Sequence, residues 1–515
     1  MKKRTAHALA LVLSATPLLL IGCGDSDNKG GTGGTIGGTG GAMKYDGGNG
    51  GAGGAKLDVG VADTVAPALD TAPTPAIDTG LPNSDVALLI DTTPAVDAGI
   101  PDAPIGPDAP ILFDTAAVDA PKALDTGAVD TVVAIDSPPV CTMTTPFTGG
   151  DVIADLTLTA ACSPYTIKTN IAVSEGATLT IEAGVTMKMG QDVQIDIGYS
   201  TVGKLIVKGT ASAPVTFTSP TAGAGDWVGI VFWSSAANGT KLSYALLDYC
   251  GQPNTACLRG EGVKAGRVSV DHVTIDHVGT GANGIQEDDA DSNFTISNCT
   301  FSNIPKPPSY AISVLAPSFA GIDSTNTFNG GAMVEVAGGT IATTTDWKNP
   351  KTPVAVTANL ILAGTPAPVL TIAAGTTLKF AQDKGFDIGN GAGGNLKVNG
   401  TALAQVVFTS LNTPAAAGDW LGLMFWSSAK GTLTYTTVEF GGSKNGSSST
   451  SGDISVDTTG VTLDVSNSTL SNSASYGLYF PCTTDSTPSV VTTTNVTYTA
   501  DLHDNGPGPT GTDCL

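Results

Sequence analysis

The chain has little of what most enzymes and nucleic-acid binders use. Its arginines are Arg4, Arg259 and Arg267, and its histidines are His7, His272, His277 and His503. Charged residues make up 13% of the 515 positions and aromatic residues 6%, and the charged share is about half the usual one. Positive charge is scarcer still, with Lys+Arg at 23 against Asp+Glu at 46 and a formal net charge of -23. That balance excludes recognition of nucleic acid or of an anionic membrane through bulk charge. Beyond the first 23 positions no long apolar run remains, so no membrane-spanning helix is expected. No stretch sustains a 3.6-residue period, which excludes alternating strands and helices.

What the chain does have begins at its N-terminus. Lys2, Lys3 and Arg4 precede an apolar run over residues 8–20, and Leu20-Ile21-Gly22-Cys23 follows at once. The run is too short for a spanning helix and reads as a signal peptide over residues 1–22. Its end resembles the lipobox of bacterial lipoprotein precursors. The resemblance implies that Cys23 is acylated, palmitate included, and becomes the new N-terminus, with the membrane as partner through the lipid anchor. Three acyl chains would hold stably where one would not. Loss of Lys2, Lys3 and Arg4 with the leader takes the formal charge from -23 to -26. Gly24, where many inner-membrane lipoproteins carry aspartate, favours the outer membrane and surface exposure, with Asp25 one place later weighing against it.

Residues 23–140 then read as a disordered linker. From 30 to 55 the composition is Gly/Thr-rich, with almost nothing to bury. From 57 to 139 an aliphatic-Asp-Thr/Ala unit recurs among scattered prolines, with carboxylates such as Asp85, Asp91, Asp97, Asp102 and Asp108 five or six apart. Neither the helical nor the strand period fits that spacing. Single carboxylates so placed lack the clustered oxygens of a calcium site, so a solvated, self-repelling spacer is the better reading. As a coil it reaches on the order of 60 Å.

From Cys141 the chain contains itself twice. Gly209-Thr210 recurs as Gly400-Thr401, an offset of 191, and Val215-Thr216-Phe217-Thr218-Ser219 as Val406-Val407-Phe408-Thr409-Ser410. Gly225-Asp226-Trp227 matches Gly418-Asp419-Trp420, and Phe232-Trp233-Ser234-Ser235-Ala236 matches Phe425-Trp426-Ser427-Ser428-Ala429. The copies are placed at about residues 165–345 and 354–500. Phe294-Thr295-Ile296-Ser297-Asn298 aligns with Leu463-Asp464-Val465-Ser466-Asn467 at an offset of 169, which predicts that the second copy has lost a unit. Inside each copy apolar and polar residues alternate, as in Leu179, Ile181, Val185, Met187 and Met189, with Gly184 at a turn. Apolar triplets every 20 to 25 residues match the coil length of a solenoid. An all-β solenoid over residues 141–515 is expected, and tandem β-sandwiches are the alternative.

The line Gly203-x-Leu205-x-Val207-x-Gly209-Thr210, continuing through Pro214-Val215-x-Phe217-Thr218-Ser219 to Gly225-Asp226-Trp227-x-Gly229-Ile230, resembles right-handed parallel β-helix proteins of the pectin-lyase-like class. Asn298 and Asn303 stand where that class uses Asn at turns. The resemblance implies a parallel β-helix over about residues 165–500. It says little of function, because the fold hosts lyases, hydrolases, adhesins and passive spacers.

No catalytic set emerges. The Gly-His-Gly and Arg-Ile-Lys signatures of polygalacturonases are missing, and Asp288-Asp289 stands without their companions. His272 and His277 each follow an aspartate, and no third ligand for zinc is evident from spacing. They read as solvent-facing polar residues beside turns. The candidate calcium ligands are Glu287, Asp289, Asp291 and Asn293, the last three at alternate positions. Phe294 and Thr300 stand where an EF-hand needs glycine and a bidentate acid, so an inter-coil loop is the default and no other cofactor is expected. Eight cysteines in an exported chain suggest disulfides: Cys141–Cys162, Cys250–Cys257 and Cys482–Cys514, with Cys299 left as a free, buried thiol. Trp227 and Trp233, repeated as Trp420 and Trp426, read as alternating onto one face where indoles could stack on sugars. Recurrence at one template position favours plain packing instead. The expected protein is a lipid-anchored, surface-exposed, non-catalytic module for binding, adhesion or structure, with extracellular polysaccharide or a surface protein as partner. The alternatives are a polysaccharide lyase or glycoside hydrolase, and a passive envelope spacer.

Overall fold

The computed structural model describes residues 140–290, 292, 294–445, 452–480, 489–501 and 503–505. The expected signal peptide, Cys23 and all but the last residue of the expected linker lie outside them, as do Asp291, Asn293, Cys482 and Cys514.

Alternating side chains bury every second residue of each strand. In Thr178–Glu182 the buried positions are Leu179 and Ile181, and in Thr186–Met189 they are Met187 and Met189. A short strand with one apolar edge cannot bury that edge alone, so it stacks on the same strand one turn later. The result is a right-handed parallel β-helix. Its inward residues form continuous columns, such as Leu158–Ile181–Val207–Leu242–Val270–Ile296–Ile322, paired strand to strand. Every member is buried, and one core runs the length of the solenoid.

A 14-stranded sheet from Gly150–Val152 to Thr497–Thr499 forms one face throughout. An 11-stranded sheet bends over the other two faces in the first half. The 3-10 segment Ala316–Gly321 interrupts it, and a seven-stranded and a six-stranded sheet continue beyond.

The duplication is out of phase with the coil. Gln194–Ile197 lies in the 14-stranded sheet, but its counterpart Gly385–Ile388 lies in the seven-stranded one. Conversely Thr186–Met189 belongs to the 11-stranded sheet and its counterpart Thr377–Phe380 to the 14-stranded one. One repeat is therefore not a whole number of turns, and equivalent residues of the copies occupy successive faces. No stripe along a single face can combine equivalent residues of both copies.

The expected loss of a unit is corrected by the corners. Tyr244, His272 and Asn298 follow one another on successive turns with φ of 49°, 53° and 54°, and Tyr435, Asn467 and Asn495 do so in the second copy with φ of 46°, 51° and 53°. The flanking ladders run Ser243–Asp271–Ser297 and Thr434–Ser466–Thr494. Asn467 thus takes the place of His272 and Asn495 that of Asn298, so no turn is missing here. Asparagine tolerates the left-handed corner and recurs there, which lets a sequence match slip by one coil.

Candidate ligand recess and ion-binding corners

Glycine decides what the tryptophans do. Gly229 has φ of 136° and Gly422 of 103°, and a Cβ there would lie 2.3 and 2.1 Å from the carbonyl oxygens of Ala256 and Gly452. This backbone breaks the alternation at the first residue of each strand. Trp227 and Trp420 consequently point inward, fully buried. Their Nε1 groups donate to the carbonyls of Asp248 and Glu439 at 2.9 and 2.8 Å, and Trp227 stacks on Phe217, Trp420 on Phe380. The expectation that they share an exposed face with Trp233 and Trp426 is corrected: Trp227 and Trp420 belong to the core.

Trp233 ends the strand Gly229–Trp233 and Trp426 directly follows Gly422–Phe425, both on the outside and half-buried. Each donates Nε1 to a carboxylate on the preceding turn, Trp233 to Asp196 at 2.8 Å and Trp426 to Asp387 at 2.7 Å. The two sites then diverge. In the first copy Tyr199 packs edge-on against Trp233, with ring centroids 4.8 Å apart. In the second copy Asn390 stands at that position, followed by Gly391, Ala392 and Gly393. With no ring to fill it, a recess of about 530 Å³ opens between Trp426, Ser427, Ser428 and residues 389–393. Burial pushes the Asp387 carboxyl above its usual range, Trp426 and Asn390 pull it back by hydrogen bonding, and the nearby Asp457 carboxylate adds to the rise.

Glu287 leaves the expected calcium set. It is 2% exposed and follows Val173, Ile197, Phe232 and Gly260 in an inward column. Its Oε2 accepts the Phe294 N–H at 3.0 Å, and Oε1 is buried without a hydrogen-bond partner. Burial pushes its pKa up to about 8 against the opposing pull of that N–H. It faces the core, whereas Asp288 is outward and bound by Arg259 at 2.6 Å. Asp289, of the same loop, approaches Gly262.

Both arginines among the described residues are committed. Arg259 lies between Asp288 and Glu261, at 2.6 Å from each, and Arg267 donates to the carbonyls of Ser234 and Ala236 at 3.0 Å. His272 stacks on Tyr244 and contacts Asp271 at 2.8 Å. His277 stacks on Tyr249 and meets two carboxylates, Asp248 at 2.9 Å and Asp276 at 3.5 Å. Spacing did not reveal Asp248, because it lies a full coil upstream. The only signal was the regular coil length itself.

Cys141 is joined to Cys162 and Cys250 to Cys257, while Cys299 is free and buried.

With that geometry in hand, residues 150–305 match the family model of the pectate-lyase-like β-helix domain. No curated protein and no solved structure matches the chain.

Proposed function

We propose that the chain is a non-catalytic, envelope-tethered β-helix that binds a carbohydrate in the Trp426 recess. The observation that carries this reading is the contrast between two copies of one template. Where Tyr199 covers Trp233, a run of small residues leaves room beside Trp426. An indole offers an apolar face to a sugar ring, and Ser427, Ser428 and Asn390 line the recess with hydroxyl-binding groups around it, while Asp387 holds the indole from beneath through Nε1. Recesses with one aromatic wall and a few convergent polar atoms are common small-molecule sites. The leader-like residues 1–22 before Cys23 and the acidic spacer support tethering at the outer membrane, held clear of the surface.

Catalysis by lyase or hydrolase chemistry needs a proton-transfer group and groups that stabilise developing charge. Arg259 and Arg267 are occupied by carboxylates and carbonyls, which favours binding over turnover. The observation that favours a glycoside hydrolase instead is the Asp387 carboxyl under Trp426, raised by burial so that it could serve as a proton donor.

A glycan array with the full chain tests both. Trp426→Ala should abolish the binding seen with wild type, while Trp233→Ala, already covered by Tyr199, should retain it. Binding unchanged in Trp426→Ala overturns the recess as the site. Steady release of reducing ends, lost in Asp387→Asn, would replace the binding reading with the hydrolase.

A further inference from the structure

We propose that Asp248, Asp276 and His277 bind a zinc-class divalent ion that ties two successive turns of the first copy together. Asp248 and Asp276 end the strands Thr240–Asp248 and Val268–Asp276 and are paired in register. The ladder therefore sets two carboxylates one strand spacing apart, and His277 follows the second. One donor atom from each lies within 4.8 Å of the others. His277 Nδ1 is 2.9 Å from Asp248 Oδ1 and 3.5 Å from Asp276 Oδ1. Tetrahedral zinc with bonds of about 2.0–2.2 Å needs ligand atoms roughly 3.4 Å apart. The two distances bracket that value, and the Asp248–Asp276 pair, within 4.8 Å, closes onto the ion by rotation of the two carboxylates.

The donor chemistry selects the ion. An imidazole with two carboxylates suits zinc better than calcium or magnesium, which prefer all-oxygen shells. With the ion on Nδ1, the imidazole would bind as its neutral Nε2–H tautomer, and the two carboxylates would balance the dication. Access is open, since the His277 side chain is 42% exposed.

Supporting contacts fix the ligands as metal sites require. Asn303 Nδ2 donates to Asp276 Oδ1 at 2.8 Å. Tyr249 stacks on the imidazole at 4.8 Å and 16°. His277 itself sits in the left-handed region, φ 48°, which aims its ring at Asp248.

The neighbouring corners lack one element each. At His272 the ring stacks on Tyr244 and contacts Asp271, but Ser243 stands where Asp248 would be. In the second copy Glu439, Ser471 and Asn472 occupy the three places, and Glu439 accepts from Thr409. The triad is therefore particular to one corner and not a by-product of the template.

The test uses the untagged full chain, stripped with chelator and equilibrated with zinc, and read by metal content and by thermal melting. Wild type should retain one zinc more than either His277→Ala or Asp248→Asn, and His272→Ala should behave as wild type. Zinc should raise the melting temperature of wild type and leave both triad variants unmoved, with at least tenfold weaker uptake. Any zinc on the acidic N-terminal segment is common to all four proteins and cancels. Melting in chelator checks the fold of each variant, and Asp248→Asn decides if His277→Ala does not fold. Equal zinc content and equal zinc-induced stabilisation in wild type and both triad variants overturn the proposal.

Discussion

The two copies build the same coil and fasten it differently. In the first, Cys250 and Cys257 are bonded across the corner that follows the strand Thr240–Asp248. In the second, Gly441 takes the place of Cys250. The ladder from Ile230 to Leu258 and from Leu423 to Ile454 puts Asp453 in the place of Cys257. Asp453 is fully buried, and its two oxygens accept the N–H groups of Gly441 at 2.8 Å and Ser471 at 3.0 Å. A side chain on residue 441 would collide with that carboxylate, 2.8 Å from its Cβ. One corner is closed by a covalent bond that needs an oxidising compartment. The other is closed by hydrogen bonds to a group that can titrate. The shape of a coil can thus be kept while its sensitivity to surroundings changes, and the same holds for Tyr199 against the open recess at Trp426.

The harshest way to break the comparison is a charge in the shared core. Ile181 and its counterpart Ile372 are both fully buried in inward columns. An unpaired carboxylate there has no partner and should cost several kcal/mol, about 4 or more. Ile181→Asp and Ile372→Asp should each lower the thermal midpoint sharply and to a similar extent. Wild-type melting of either would place that strand outside the register described.

A smaller effect sharpens it at the corner. The eight residues closed by Cys250–Cys257 correspond to about 2.5 kcal/mol in the loop-entropy account. Asp453→Ala leaves the N–H groups of Gly441 and Ser471 buried without acceptors, at about 1–3 kcal/mol each. Cys250→Ser/Cys257→Ser should therefore destabilise by an amount comparable to Asp453→Ala. The graft Cys250→Gly/Cys257→Asp should recover part of the loss. Denaturant melts decide, and a graft no better than the double serine variant would show that the corners are not interchangeable.

Much of this was legible in the sequence, for a physical reason. A solenoid repeats local alternation, so Leu179, Ile181, Met187 and Met189 announce their burial without knowledge of distant contacts. What stayed hidden depends on coil geometry. Gly229 is visible in the sequence, but the positive φ that turns Trp227 inward is not. Asp248 and His277 are 29 residues apart, and only the register of the two long strands makes them neighbours. The rotation of one copy by a face is invisible to an alignment, since an offset of 191 says nothing of the number of turns it contains. Glu287 was the most misleading, because its acidic neighbours suggested a solvated loop while its own alternation placed it inside.

The smallest effect is in pH dependence, where the buried carboxyls of the two copies should part company. Burial pushes Glu287 from 4.5 up to about 8, and burial likewise holds Asp453 well above its usual range, against the N–H groups of Gly441 and Ser471. A raised carboxyl pKa means that the folded protein keeps a proton the unfolded chain has lost. The stability this contributes is fully present below the unfolded value and is lost as pH rises through the folded value. For Glu287 the window runs from about 4.5 to about 8, and the loss is on the order of 1–3 kcal/mol after relaxation. Glu287→Gln removes that titration while keeping an oxygen for the Phe294 N–H. It should flatten the fall in melting temperature between about pH 5 and about pH 8 and melt above wild type at the upper end. Asp453→Asn should do otherwise, because one amide oxygen cannot serve both Gly441 and Ser471, and its melting should fall at both ends of the range. An undiminished pH slope in Glu287→Gln would mean that Glu287 does not carry the proton.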